Sequence, residues 1–230
     1  MSVLLANLMA RAPTAEDFYA IAELVAACDI AEHGIADGST GDLAARWQNY
    51  SFQMESDAWV IVNSRRQSAG FAGFACVLHR DHEEFYAFIC VHPLYRKRGI
   101  GTLLLRIAEQ RARELMRQTS HGVRVSLRGV VSASNSQGRS LYEREGYLAV
   151  REFWRVALDL LESDDADRNH AEKFAIDVDV EDGRLVGAAP LFDREGVYSI
   201  RHFVTYEKEL RPAIAGYGCP DDYTEMLVGA

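Results

Sequence analysis

Between Val91 and Leu105 the chain reads VHPLYRKRGIGTLLL: an apolar strand, a proline, a basic turn with two glycines, and an apolar helix that starts at once. Pro93 has no N–H to give to a sheet ladder, so the strand must close there. Gly99 and Gly101 carry no Cβ to keep an anion away from the main chain. The first turn of the following helix leaves N–H groups unpaired and holds the positive end of the macrodipole. A phosphate binds at such a place without further machinery. Arg96, Lys97 and Arg98 add positive charge beside it.

Spacing separates the ligand classes that use glycines before a helix. A P-loop needs Gly-Lys-Ser or Gly-Lys-Thr, which is absent, and a dinucleotide fingerprint needs a third glycine where Leu104 stands. What remains is Arg96-x-x-Gly99-x-Gly101. A second constellation follows downstream, Asn135-Ser-Gln-Gly138-Arg-Ser-Leu141-Tyr142-Glu-Arg-Glu-Gly146-Tyr147. Asn135 is placed to cap a helix, Leu141 and Tyr142 fall on its sheet-facing side, and Gly146 can end it in the left-handed conformation. In their order and in the helix and strand between them, the two segments resemble the paired signatures of the GNAT acetyltransferases. Gly138 stands where that family usually has alanine.

The resemblance covers roughly residues 5–160 and implies an α/β (α+β) GNAT fold. That fold is a mixed, mostly antiparallel sheet, splayed between its fourth and fifth strands and flanked by helices. It also implies acetyl-CoA as co-substrate and transfer of acetyl to a primary amine of a small molecule or peptide by direct attack in a ternary complex. On that likeness the turn amides of Arg98, Gly99, Ile100, Gly101 and Thr102 hold the diphosphate, with the charges of Arg96, Lys97 and Arg98 assisting. Backbone groups of Ile89, Cys90 and Val91 meet the pantetheine arm and polarise the thioester, Asn135 bonds the cofactor, and Tyr142 protonates the departing sulfur. Many family members carry a carboxylate on the fourth strand shortly before the V-x-P, but here Ala87 and Phe88 stand there. Glu84, at the start of that strand, is the nearest carboxylate and the first candidate for the general base. Glu32 and His33 are alternatives, His92 reads as a surface residue of the turn, and Cys90 reads as an inert strand cysteine. The missing strand carboxylate leaves a second reading open, a CoA-binding sensor or assembly module without catalysis.

A net charge of −9 disfavours a nucleic-acid partner, which needs a basic face. No apolar run is long enough to cross a bilayer and no basic leader precedes one, so a cytoplasmic protein is expected. Four scattered cysteines and seven histidines without ligand spacing predict neither a disulfide frame nor a metal. Hydrophobic periodicity predicts the order β-α-α-β-β-β-α-β-α-β, with strands over 6–12, 58–63, 71–78, 84–91, 123–127 and 147–160. Helices are expected over 18–29, 42–52, 99–119 and from Asn135.

This divides the chain into an acetyltransferase domain at 1–160, an acidic linker at 161–172 and a β-rich appendage at 173–230. Within the appendage, Leu191–Phe203 aligns without gaps on Leu141–Phe153, at an offset of 191 − 141 = 50 residues. Phe192 replaces the tyrosine there and nothing matches Asn135. The likeness suggests a degenerate second half, as in tandem members of the family such as mycothiol synthase, or a packing or dimerisation element.

Overall fold

The computed structural model describes residues 8–36, 52–63, 71–79, 84–160, 172–181, 184–185 and 197–214. The helix predicted over 42–52 lies almost wholly outside them. So do residues 64–70, the acidic run at 161–171, residues 191–196 of the proposed repeat, and Cys219.

Among the described residues nine strands form one sheet: β1 (Leu8–Arg11), β2 (Ala58–Asn63), β3 (Gly73–His79), β4 (Glu84–Val91), β5 (Val125–Ser132), β6 (Leu148–Leu160), β7 (Glu172–Glu181), β8 (Arg184–Leu185) and β9 (Val197–Arg211). Their order is β1-β2-β3-β4-β5-β9-β6-β7-β8. Every pairing is antiparallel except that of β4 with β5. Helix α1 (Phe18–His33) covers one face, and a single turn α2 (Met54–Asp57) leads into β2. Helices α3 (Ile100–Leu115) and α4 (Ser136–Arg144) cover the opposite face.

The alternation of apolar side chains assigns these faces. On β4, Tyr86, Phe88 and Cys90 pack with Ile21, Leu24 and Cys28 of α1, while Phe85 and Ala87 pack with Leu105, Ala108 and Ala112 of α3. Leu104, Leu105, Ala108, Ala112 and Leu115 are the buried stripe of α3, whereas Leu103 is 42% exposed. Removal of this stripe from water supplies the driving force that holds helix to sheet.

The expected boundary at residue 160 is corrected by the sheet order. Strand β9 lies between β5 and β6, pairing with β5 from Val125↔Arg211 to Ser132↔Phe203 and with β6 from Leu148↔Glu207 to Leu158↔Val197. It therefore completes the sheet instead of forming an appendage. Without it the main-chain edges of both neighbours would stand unpaired. Val204 and Tyr206 enter the same core as Val131, Tyr142 and Tyr147. The apparent repeat has a local origin over its described part, because Phe153 and Phe203 are direct cross-strand partners with rings stacked at 5.5 Å. Two neighbouring strands with the same inward pattern look alike in sequence.

At the start of α1, Thr14 and Asp17 form a capping box whose acid has a second task. Asp17 accepts from the Thr14 N–H at 2.7 Å and from Arg11 at 2.6 and 2.9 Å, tying β1 to the helix. The bidentate Arg11 bond, then the Thr14 N–H, hold its pKa down to about 2 despite partial burial. A depressed folded-state pKa stabilises the fold above the unfolded value near 4, and the effect is lost as pH falls through about 2. Asp17→Asn should cost about 1 kcal/mol at pH 7 after allowance for solvent screening, and only a small fraction of that at pH 2. Urea denaturation at the two pH values measures the difference.

Candidate functional site

The parallel pairing of β4 with β5 runs only from Glu84↔Ser126 to Ala87↔Gly129. Beyond it, β4 continues to Val91 along β3 alone and β5 continues to Ser132 along β9 alone. The two strands thus part at Ala87 and Gly129 and open a V-shaped gap. The two motifs lie at its mouth, the basic turn after β4 and α4 after β5.

The turn is wound for anion binding. Lys97 has φ 63° and Gly99 has φ 83°, both left-handed, and Gly99 is the N-cap of α3. Left-handed residues within a turn curl successive N–H groups toward one side, forming a concavity that accepts an anion. Lys97 and Arg98 are exposed beside it, with the Arg98 guanidinium over the Tyr95 ring at 5.2 Å. At Gly101 a Cβ would come within 3.0 Å of Leu141, so that glycine also lets α3 approach α4. This approach brings in a residue that the motifs did not point to, since Arg144 donates to the Thr102 hydroxyl at 2.9 Å. The residues present suit a diphosphate.

Arg96 faces away from that turn. Its Nε donates to the Val91 carbonyl at 3.2 Å, and its Nη2 donates to Glu32 Oε1 at 2.7 Å. Asn135 caps α4 as predicted, accepting from the Gly138 N–H at 2.8 Å, and its amide donates to the same Glu32 oxygen at 2.7 Å. Ser134 Oγ donates to the Glu32 carbonyl at 3.0 Å. Glu32, on the last turn of α1, therefore joins both motifs. These residues line a polar cleft of about 150 Å³ with Ala31, Ser136 and Gln137. Burial raises the Glu32 pKa above the ordinary carboxylate value, against the opposing pull of Arg96.

Tyr142 is 4% exposed, and its ring stacks on Tyr206 at 5.4 Å and meets Tyr147 edge-on at 5.1 Å. A Cβ on Gly129 would lie 2.2 Å from the Tyr142 hydroxyl oxygen, so the phenol rests on bare backbone where the two strands part. Burial raises its pKa, so it stays protonated at neutral pH. Gly129 was not singled out from sequence, although a glycine inside a strand signals a close approach of just this kind. At Gly138 a Cβ would come within 2.8 Å of Val131, which accounts for glycine where alanine was expected.

Other candidates stand elsewhere. Glu84 is at the far end of β4, about 23 Å along the strand from Val91 at ~3.3 Å per residue. There it bonds Arg128 and the Tyr86 hydroxyl, each at 2.8 Å, and so does not join the cluster. The His92 ring accepts from the Leu94 N–H at 3.2 Å and caps the turn of Pro93–Tyr95, and His33 packs 5.6 Å from Phe203. Ile89, Cys90 and Val91 flank the gap, although the Val91 carbonyl already accepts from Arg96 and Cys28. Among the described residues no group of three or more side chains is disposed to hold a metal, and no helix is long and apolar enough to cross a membrane.

Comparison with known proteins agrees with this geometry. Residues 55–148 match the family model of the acetyltransferase (GNAT) domain. A mycothiol acetyltransferase of Pseudarthrobacter chlorophenolicus is 30% identical over 94 residues, which are 40% of this chain and 26% of that protein. The chain thus spans about a quarter of that relative's length. A GCN5-related N-acetyltransferase of Sphaerobacter thermophilus superposes with a TM-score of 0.74 at 20% identity, covering 90% of this chain and 97% of that one. A Salmonella typhimurium structure solved with its cofactor acetyl-CoA superposes at 0.54 with 14% identity, covering 93% and 99%. Spermidine N-acetyltransferase of Vibrio cholerae, in complex with CoA and spermine, gives 0.50 at 12% identity over 89% and 96%. At these identities the superpositions speak for the fold.

Proposed function

We propose that this chain, whose residues 55–148 match the family model of the acetyltransferase (GNAT) domain, is a GNAT acetyltransferase that transfers acetyl from acetyl-CoA to a primary amine by direct attack in a ternary complex. One observation carries this reading: the anion turn and the Tyr142 phenol sit at the mouth and the closed end of the same gap between β4 and β5.

The turn N–H groups from Arg98 to Thr102 bind the diphosphate, assisted by Lys97, Arg98 and Arg144. Main-chain groups at the free edge of β4, those of Ile89 and the Val91 N–H, orient the pantetheine arm and place an N–H donor on the thioester oxygen. Acetyl-CoA supplies the activated acyl group and a thiolate leaving group. Tyr142 gives its proton to that sulfur. Glu32, in place of Glu84, takes the proton from the attacking amine, and Arg96 and Asn135 hold its carboxylate in position. A carboxylate in this role accounts for activity without an acid on the fourth strand, which was the feature favouring a non-catalytic module.

The test is release of free CoA thiol from acetyl-CoA in the presence of polyamines, amino acids, aminoglycosides and peptides. Turnover with at least one amine, and none with the matching N-acetylated amine, is expected. CoA binding without turnover on any of them would favour the sensor reading.

Because the Glu32 pKa is raised, kcat/KM should increase as pH rises through a value above the ordinary carboxylate range. Glu32→Gln should lose that limb and about 10²-fold in kcat/KM. An unchanged pH profile would remove Glu32 from the chemistry. Its effect on stability has the opposite sign to that of Asp17: a raised folded-state pKa favours the fold at low pH, and the contribution fades as pH rises through that pKa.

A further inference from the structure

Tyr206 belongs to neither motif and follows Tyr142 by 206 − 142 = 64 residues. Strand alternation turns it, with Val204, to the face that α3 and α4 cover, and it is buried there. The ladder fixes its neighbours. Tyr206 is the direct cross-strand partner of Gly129 on β5 and of Ala149 on β6. Side chains at paired positions share a face, so the missing Cβ of Gly129 leaves a notch beside the Tyr206 ring. The Tyr142 ring fills that notch. It lies over Gly129 and stacks on Tyr206, with centroids 5.4 Å apart and planes inclined by 22°.

The Tyr206 hydroxyl is itself tied to α4. It donates to Glu143 Oε1 at 2.8 Å and accepts from Arg139 Nε at 3.4 Å. Burial raises its pKa against the pull of Arg139, so the hydroxyl keeps its proton and remains the donor to Glu143. Arg139 and Glu143 are one helical turn apart on α4, the helix that carries Tyr142. One side chain of β9 thus holds both the ring of the proton donor and its helix.

We propose that Tyr206 is a positioning residue for acetyl transfer, its stacked ring and its bonds to α4 fixing the Tyr142 phenol where β4 and β5 part, within reach of the departing sulfur. This role rests on that given to Tyr142 above. A tyrosine can swing about its side-chain torsions, and Gly129 offers no side chain to stop it. Tyr206 supplies the missing wall before the cofactor arrives. It makes and breaks no bond: the proton passes from the Tyr142 oxygen to the sulfur, while that of Tyr206 stays committed to Glu143. A misplacement of about 1 Å is enough to lower a rate about 10²-fold.

The test titrates CoA, whose free thiol stands where the leaving group would be, into whole protein isotope-labelled at the tyrosine Cζ. The Tyr142 resonance is identified by its loss in Tyr142→Phe. CoA should shift that resonance in the parent and in Tyr206→Phe, which keeps the ring, but not in Tyr206→Leu, whose calorimetric affinity for CoA should stay within about twofold of the parent. Circular dichroism checks folding, and Tyr206→Met, which fills more of the same space, replaces the leucine variant with the same expectation should that variant not fold. With an amine that supports turnover, kcat should fall about 10- to 10²-fold in Tyr206→Leu at unchanged KM for acetyl-CoA, and Tyr206→Phe should restore most of it. In a Tyr142→Phe background the leucine change should cost less than about twofold more, whereas a merely structural role costs the same in both backgrounds. A Tyr142 resonance that ignores CoA in the parent would overturn the role of Tyr142, and that of Tyr206 with it. A response that survives unchanged in Tyr206→Leu, or an equal loss of kcat in both backgrounds, would overturn the positioning role alone.

Discussion

Tyr142→Phe should lower kcat by about 10²- to 10⁴-fold, the range for loss of a positioned proton donor, while CoA binds as before. The substitution removes one oxygen and keeps the ring. That ring is held by Tyr206 and Tyr147, so the packing at the end of the gap survives and the variant should fold normally. The phenol is suited to giving a proton because burial keeps it protonated at neutral pH, and it sits where β4 and β5 part company. Calorimetric titration with CoA and steady-state kinetics together separate the two effects. Unaltered turnover would mean that the sulfur takes its proton from water, and loss of CoA binding would mean that the hydroxyl serves the ligand instead.

The largest expected effect on stability comes from Gly129→Val. A Cβ there would lie 2.2 Å from the Tyr142 oxygen and 2.5 Å from two ring carbons, and two further methyl groups would deepen the overlap. The ring cannot retreat, because Tyr147 and Tyr206 stand against it. Over-packing of this kind costs about 3 kcal/mol, which for a chain of this size lowers the melting temperature by about 6–12 °C. Combining Gly129→Ala with Tyr142→Ala should be milder than the sum of the two single changes, since each removes the reason the other is harmful. Scanning calorimetry of the four proteins gives the coupling directly. A Gly129→Val protein that melts with the parent would show that the phenol does not rest on this backbone.

The contrast between Gly129 and Gly99 shows what could be read from the chain. Gly99 and Gly101 sit in a local pattern of strand, turn and helix, all within a dozen residues, and the end of β4 and the start of α3 followed from that pattern alone. Asn135 and Gly146 acted in the same way, as cap and helix end. Gly129 acquires its meaning only when a tyrosine thirteen residues later folds back over it (142 − 129 = 13). The glutamates divide similarly. Glu84 was favoured because it is near the motif in sequence, but a strand is extended and carries it to the opposite end of the sheet. Glu32 precedes Arg96 by 64 residues and reaches it only through the packing of α1 on β4. The last strand resembles a repeat for a physical reason too. Its alternation matches that of β6, its neighbour in the sheet, and from sequence alone neighbours and repeats share one signature.

These corrections bear on function. The sheet that carries the gap is not complete until residue 211, because β9 pairs with β5 from Val125 to Ser132 and so braces the arm of β5 that parts from β4 beyond Gly129. Truncation at residue 160 would therefore leave the wall of the site without its partner strand.

The proposed grip of the turn on CoA is open to one direct measurement: a titration of labelled protein with CoA, followed through the backbone amide resonances. The N–H groups of Gly99, Ile100, Gly101 and Thr102 should show the largest downfield shifts, and pantetheine, which has no diphosphate, should leave those four nearly unmoved. Saturable binding of CoA that leaves them unmoved would contradict the assignment of this turn, and with it the path of the cofactor into the gap between β4 and β5.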